Sequence, residues 1–384
     1  MATIMVSCGE ASGDLYAGAL VRELRDLDPE ARVFGFGGDP LAAAGAELVG
    51  DYRGLSVTGL IEVVRLLPRA YAMYRHLVDA ARVRRPDVLV AIDFPDFNFR
   101  LARAVAGLGI PVVYYVSPQL WAWRSGRLAA MKRFASRVLV IFPFERPLYE
   151  RAGIPVEFVG HPLIDLVATG DDRDRFLSSI GGNPTAPTVA LLPGSRTNEV
   201  RQILPVLLEA VPRITDAVPG VQFVIARAPG LDDRLFETAS VDSAVTLVTV
   251  EGRADDVIKA SDVVVTASGT ATVQTALHER PMVIVYRLSP LTYRAGIRFV
   301  KVDTYGMVNL VAGRRVVTEL IQDGFTPDSV ARETVSLLSD RERRETMCRD
   351  LRDVKARLGG PGASRRAAER VLEVASGAAR DTLK

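Results

Sequence analysis

Five short stretches of this sequence hold residues that could do chemistry. Ser7-Cys8-Gly9-Glu10-Ala11-Ser12-Gly13-Asp14 combines two glycines with two hydroxyls and two carboxylates. Gly9 and Gly13 permit a tight turn and a close ligand, and Ser12 or Asp14 could cap a following helix. The spacing is not the dinucleotide fingerprint G-x-G-x-x-G. Glu10 and Asp14 would line a diphosphate poorly, so a neutral, polyhydroxylated ligand such as a sugar suits the loop better. Ala91 to Asn98 places Asp93 and Asp96 three residues apart, where either could act as a general base or cap the next helix. Ser117 to Arg124 holds both tryptophans, Trp121 and Trp123. Their rings could flank a sugar or an acyl chain, or simply pack.

The other two stretches suit an anion. In Leu191 to Val200, Gly194 makes a turn, Ser195 and the backbone amides read as facing outward, and Arg196 matches a phosphate with two parallel hydrogen bonds. In Thr266 to Thr272, the small residues Ser268, Gly269 and Thr270 let backbone N–H groups and a helix N-terminus approach an anion. One such loop is weak evidence. Two of them with an arginine point to a pyrophosphate.

The elements that must position these loops are short apolar runs alternating with helical stretches. The first half has Thr3–Cys8, Arg32–Gly37, Val88–Asp93, Val112–Ser117, Arg137–Phe142 and Val156–Gly160. The second has Val189–Leu192, Gln222–Ala226, Val245–Val250, Asp262–Ala267 and Met282–Tyr286. Strands apolar on both faces belong to parallel sheets covered by helices. A polar stretch, Ala168 to Thr188, separates the halves, so the reading is α/β with two doubly wound domains. The last ~55 residues read as charged helices with a short basic tail.

Composition narrows the function. The chain has 384 residues, 48% of them apolar, and a net charge of +2, enough for two cores and too little positive charge for a nucleic-acid coat. Cys8 and Cys348 are far apart, as are His76, His161 and His278, which argues against a zinc cluster. No signal peptide or membrane-spanning run is legible, so the expectation is a cytoplasmic protein, soluble or peripheral. Leu60, Val64, Leu67, Tyr71, Tyr74 and Val78 recur at helical spacing. Ile61, Val63, Leu66, Met73 and Leu77 add apolar character on other faces, with Arg65, Arg69 and Arg75 between them and Pro68 expected to kink or restart the helix. Such a segment is either a core helix or a membrane-surface helix.

Taken together, the segments resemble the lipid-A-disaccharide synthase family, bacterial glycosyltransferases of the GT-B architecture. The resemblance covers nearly the whole chain. It rests on Ser7–Asp14, Ile92–Asn98, the Ser-Pro-x-x-Trp-Ala-Trp segment within Tyr115–Trp123, Phe142-Pro143-Phe144-Glu145, Gly160-His161-Pro162-Leu163, Leu192–Glu199, Ser268–Thr272 and Asn309–Gly313. It implies two Rossmann-like domains facing each other across a cleft. Residues 1–168 would form an acceptor-binding, membrane-facing domain and 185–360 a UDP-sugar domain. Residues 361–384 would be a terminal helix able to pack back on the first domain.

The implied reaction moves 2,3-diacylglucosamine from UDP-2,3-diacylglucosamine to the 6-hydroxyl of 2,3-diacylglucosamine 1-phosphate, with inversion and without metal or cofactor. The resemblance makes Asp96 the base, with Asp93 as the alternative, and places Arg196, Ser268 and Thr270 at the diphosphate. It adds Asn309 and Glu319 to the donor site. Acylated substrates imply peripheral contact with the inner membrane through about 60–78, and a homodimer is compatible with the sequence. Two departures stand out: Gln274 where the family has a Glu on the ribose, and Met307-Val308-Asn309 for Leu-Pro-Asn. The alternatives are a UDP-N-acetylglucosamine 2-epimerase-like enzyme and a non-catalytic nucleotide-sugar binding paralogue.

Overall fold

The computed structural model describes residues 1–53, 60–118, 126–167, 171–237, 245–287, 304 and 306–377, with backbone alone for 60–66. The chain divides into two compact units. The first is Met1–Leu166 with Leu358–Lys384, the second Val167–Arg357.

In the first unit, seven described strands form one parallel sheet. They are β1 Thr3–Cys8, β2 Arg32–Gly37, β3 Glu47–Asp51, β4 Val88–Ile92, β5 Val112–Tyr115, β6 Arg137–Val140 and β7 Val156–Phe158, in the order β3-β2-β1-β4-β5-β6-β7. Every residue of β4 and β5 is buried, as expected of strands covered on both faces. Helix Leu60–Arg84 turns Leu77 and Ala81 into the core beside Phe36 and Leu89. Pro68 lies inside this helix and neither ends it nor starts a second one.

Helix Ala363–Ala375 closes the first unit against helix Ala11–Leu27. It buries Ala367, Ala368, Val371 and Val374. Asp165 caps it, its carboxylate accepting from the Gly362 amide at 2.6 Å and the Ser364 amide at 3.2 Å.

In the second unit, six described strands are parallel: β8 Thr188–Leu192, β9 Gln222–Arg227, β10 Leu247–Glu251, β11 Val263–Ala267, β12 Met282–Tyr286 and β13 Thr318–Ile321. Their order is β10-β9-β8-β11-β12-β13. β3 and β13 are edge strands that the apolar-run criterion missed. Each is half exposed and carries a Glu, so neither reads as a continuous apolar run.

Candidate functional site

In open α/β sheets, ligands bind beyond the carboxyl ends of strands where the strand order reverses. That point lies between β1 and β4 in the first unit, and between β8 and β11 in the second. Four of the five chemistry-bearing stretches begin there.

After β1, the loop reaches helix Ala11–Leu27 through Glu10, an extended N-cap whose side chain caps nothing. Glu10 and Ser12 are half-buried and Gly13 is buried. Asp14 does not cap its own helix either. Its buried carboxylate accepts from the amides of Gly38 at 3.0 Å and Leu41 at 3.2 Å, and so holds the start of helix Asp39–Ala43. Burial pushes its carboxyl above the usual carboxylate range, against those two amides. Asp14 thus positions the turn from inside and offers the crevice no surface.

After β4, Asp93 and Phe94 both adopt left-handed backbone, φ 43° and 48°, a conformation that costs non-glycine residues of order 1–3 kcal/mol each. Neither Asp93 nor Asp96 caps helix Pro95–Ala106; its N-cap is Phe94. Asn98 over-determines the strained turn. Fully buried, it donates to the carbonyls of Ser7 (3.1 Å), Ile92 (3.1 Å) and Asp93 (2.9 Å) and accepts from Ser7 Oγ at 2.7 Å. It ties β1 to β4 and is no ligand contact. Tyr114 Oη adds a hydrogen bond to the Asp93 carbonyl at 2.8 Å. The Phe94 ring covers Gly9: a Cβ built there would sit 2.2 Å from the ring, so any larger residue forces the ring to move. Asp93 is half-buried, whereas the Asp96 carboxylate is 83% exposed and ion-paired with Arg127. Arg127 belongs to no motif in the sequence, and only the fold brings it to the loop.

Glu145 is another residue the sequence left without a role. It is 2% exposed, and its carboxylate accepts from the Phe142 amide at 3.2 Å. Burial pushes its carboxyl up to about 8, with the charge of Asp93 as a lesser cause in the same direction. Trp121 and Trp123 lie outside the described residues, as do the side chains of 60–66.

In the second unit the loop after β8 differs from expectation. The amides of Ser195 and Arg196 do not face outward to a ligand. Both donate to Glu199, at 3.1 and 3.3 Å, in a capping box at the start of helix Thr197–Ala217. Gly194, at φ +122°, lies where a Cβ would meet Glu199 at 2.6 Å. The Arg196 guanidinium is 40% exposed and 3.4 Å from Glu199. A Glu three residues beyond Arg196 was the signal for this box.

After β11, the expectation of an open helix start stands. Helix Thr270–Leu277 has Gly269 as N-cap and no side-chain cap; Ser268 is half-buried, Gly269 and Thr270 exposed. One turn along, Gln274 Nε2 donates to Asp255 Oδ1 at 2.7 Å, and His278 Nε2 shares that oxygen at 2.8 Å. A carboxylate only accepts, so this bond turns the Gln274 carbonyl away from Asp255. Asn309 and Glu319 form an internal clasp. Buried Asn309 accepts from the amides of Val316 and Val317 and donates to Glu319 at 2.6 Å, and Glu319 also takes the Gly306 amide at 3.0 Å.

Residues 4–373 match the family model of lipid-A-disaccharide synthetase. The chain belongs to that family. It is 45% identical to a lipid-A-disaccharide synthase of Myxococcus xanthus over 371 residues, 97% of each chain. Among solved structures it resembles a UDP-GlcNAc 2-epimerase from Neisseria meningitidis bound to UDP-GlcNAc (TM-score 0.70, 13% identity, 97% of this chain and 100% of that one). It also resembles the calicheamicin glycosyltransferase CalG4 (TM-score 0.61, 18% identity, 98% of each). These likenesses show the fold alone, so the epimerase reading has only distant fold support. Family membership makes the protein a glycosyltransferase of lipid A disaccharide synthesis.

Proposed function

We propose that this protein joins two acylated glucosamines. The acceptor's 6-hydroxyl oxygen attacks C1 of the UDP-linked sugar, the C1–O bond to the diphosphate breaks, and UDP leaves with the electron pair. The hydroxyl proton passes to a carboxylate of the first unit, and C1 inverts. Asp96 is the proposed base, with Arg127 holding its orientation. The strained, half-buried Asp93 is the second reading, favoured by a backbone conformation of the kind that clusters at working sites. Arg196 and the uncapped start of helix Thr270–Leu277 meet the charge that grows on UDP. Gln274 accepts a donor hydroxyl through its carbonyl oxygen. Gly9, Glu10, Ser12 and Gly13 line the acceptor side of the reading.

The acylated substrates favour docking of helix Leu60–Arg84 on an anionic membrane surface. In that helix Leu67 and Tyr71 are 50% and 62% exposed, and Arg69 and Arg75 lie on the outside with them.

The observation that carries the reading is family membership over 4–373, joined to carboxylates at one switch point and an anion-ready helix start at the other. The test is a mass-spectrometric turnover assay in detergent with UDP-2,3-diacylglucosamine and 2,3-diacylglucosamine 1-phosphate. Wild type is expected to form the disaccharide. Asp96→Asn should lose on the order of 10²–10⁴-fold in turnover while still binding UDP; the same loss confined to Asp93→Asn moves the base to Asp93. Wild type that binds UDP and makes no disaccharide overturns the proposal.

A further inference from the structure

The opposite edge of the second sheet carries a separate chemistry. Asp262 and Arg280 stand just before β11 and β12, at the amino ends of those strands. The donor-side loops lie about 16 Å away, at the other end of five-residue strands. Helix Arg341–Arg357 packs over this edge, with Met347 Sδ accepting from the Met282 amide. Between helix and edge lies a cavity of about 350 Å³, its wall including Arg280, Arg344, Arg349, Arg352 and Cys348.

The two acids of the same wall are already answered. Asp262 holds Arg173 at 3.1 Å and the Thr188 amide at 2.8 Å, and Glu345 holds Arg341 at 2.6 Å. Three of the four arginines are not matched in this way. Arg344 reaches only the carbonyls of Leu337 and Leu338, and Arg349 reaches the Thr346 hydroxyl. Arg352 is the exception, paired with Glu279 at 3.7 Å and donating to the Cys348 carbonyl at 3.4 Å. Arg280 is half-buried and its guanidinium makes no hydrogen bond among the described residues; its Nε is wholly buried without a partner. That one donor, removed from water and left unpaired, costs ~1–3 kcal/mol, more because it is charged. Crowding of the Arg280, Arg344 and Arg349 guanidinium groups adds repulsion, which Asp262 and Glu345 offset in part. An anion in the cavity relieves that repulsion, and a phosphate oxygen pair fits a guanidinium edge.

We propose that this cavity is an anion site for a phosphate or diphosphate group, with Arg280 and Arg349 as its main ligands. It is independent of the transferase reading. Burial pulls the Arg280 guanidinium below its ordinary proton affinity, a strain that a bound anion relieves.

Cys348, half-buried in the cavity wall, reports on it, because the only other cysteine, Cys8, is fully buried in the first unit. The experiment follows iodoacetamide labelling of Cys348 by peptide mass spectrometry in the full chain. One arm adds inorganic pyrophosphate, the other phosphatidylglycerol vesicles. Labelling is expected to slow about tenfold in at least one arm, pyrophosphate identifying a soluble ligand and vesicles alone a lipid headgroup. Protection should persist in Arg196→Ala, whose change lies at the donor-side loops. Arg280→Gln and Arg349→Gln should each shift half-protection to about tenfold or more higher ligand. Unchanged labelling in both arms, or equal protection in the Arg280→Gln/Arg349→Gln double variant, overturns the proposal.

Discussion

Asn98 and Asn309 are both buried carboxamides that lock a loop, Asn98 the turn that follows β4 at the carboxyl end of its strand and Asn309 the turn that leads into β13 at the amino end of its strand. Their residue type is legible in the sequence, but which partners they satisfy depends on chain segments up to 91 positions away, as with Ser7 and Asn98. For the same reason Asp14, which the sequence offers as a cap for its own helix, turns out to hold the backbone amides of Gly38 and Leu41. The loops that carry Arg196, Ser268 and Thr270 were legible as loops, because a turn after an apolar strand needs no tertiary partner to be recognised. Glu145 carries a prediction at this scale. Its folded carboxyl near 8 exceeds the ordinary 4.5, so its contribution is fully present below about pH 4.5 and is lost as pH rises through 8. His161, held down to about 3 by burial against an ordinary 6.5, slopes the other way, losing stability as pH falls from 6.5. The two oppose each other between 4.5 and 6.5, and Glu145 acts alone above. Urea unfolding should therefore show stability falling by on the order of 1–2 kcal/mol between pH 6.5 and 8, and Glu145→Gln should flatten that limb.

At the scale of elements, the apolar runs located eleven of the thirteen described strands, because a strand buried on both faces writes its burial into consecutive residues. The two missed ones lie at sheet edges, where one side faces water and the run is broken. Helix Leu60–Arg84 was legible as a helix, but not which side of it faces in. Both faces are apolar, and only packing decides that Leu77 is buried while Leu67 and Tyr71 are exposed. An exposed apolar side next to arginines suits a lipid interface better than water. Leu67→Ser combined with Tyr71→Ser should lower co-sedimentation with anionic vesicles several-fold, with the thermal midpoint unchanged. Equal sedimentation would remove this helix from membrane docking.

For the whole molecule, the decisive fact is that the first unit takes its final helix from the far end of the chain. Val371 is fully buried there, and Arg370 and Arg137 pair with Glu157 and Glu373 across the closure. Val371→Asp would place an unpaired charge in that core and should cost several kcal/mol. Calorimetry should show the transition of the first unit falling while that of the second holds; a matched fall in both would mean that the units unfold as one. The same closure governs how the protein is made. Residues 167–357 follow one another without interruption and need nothing made later, whereas the first-made unit keeps its helix Ala11–Leu27 uncovered until residues 363–375 arrive. The half that is translated first is thus the half that is finished last.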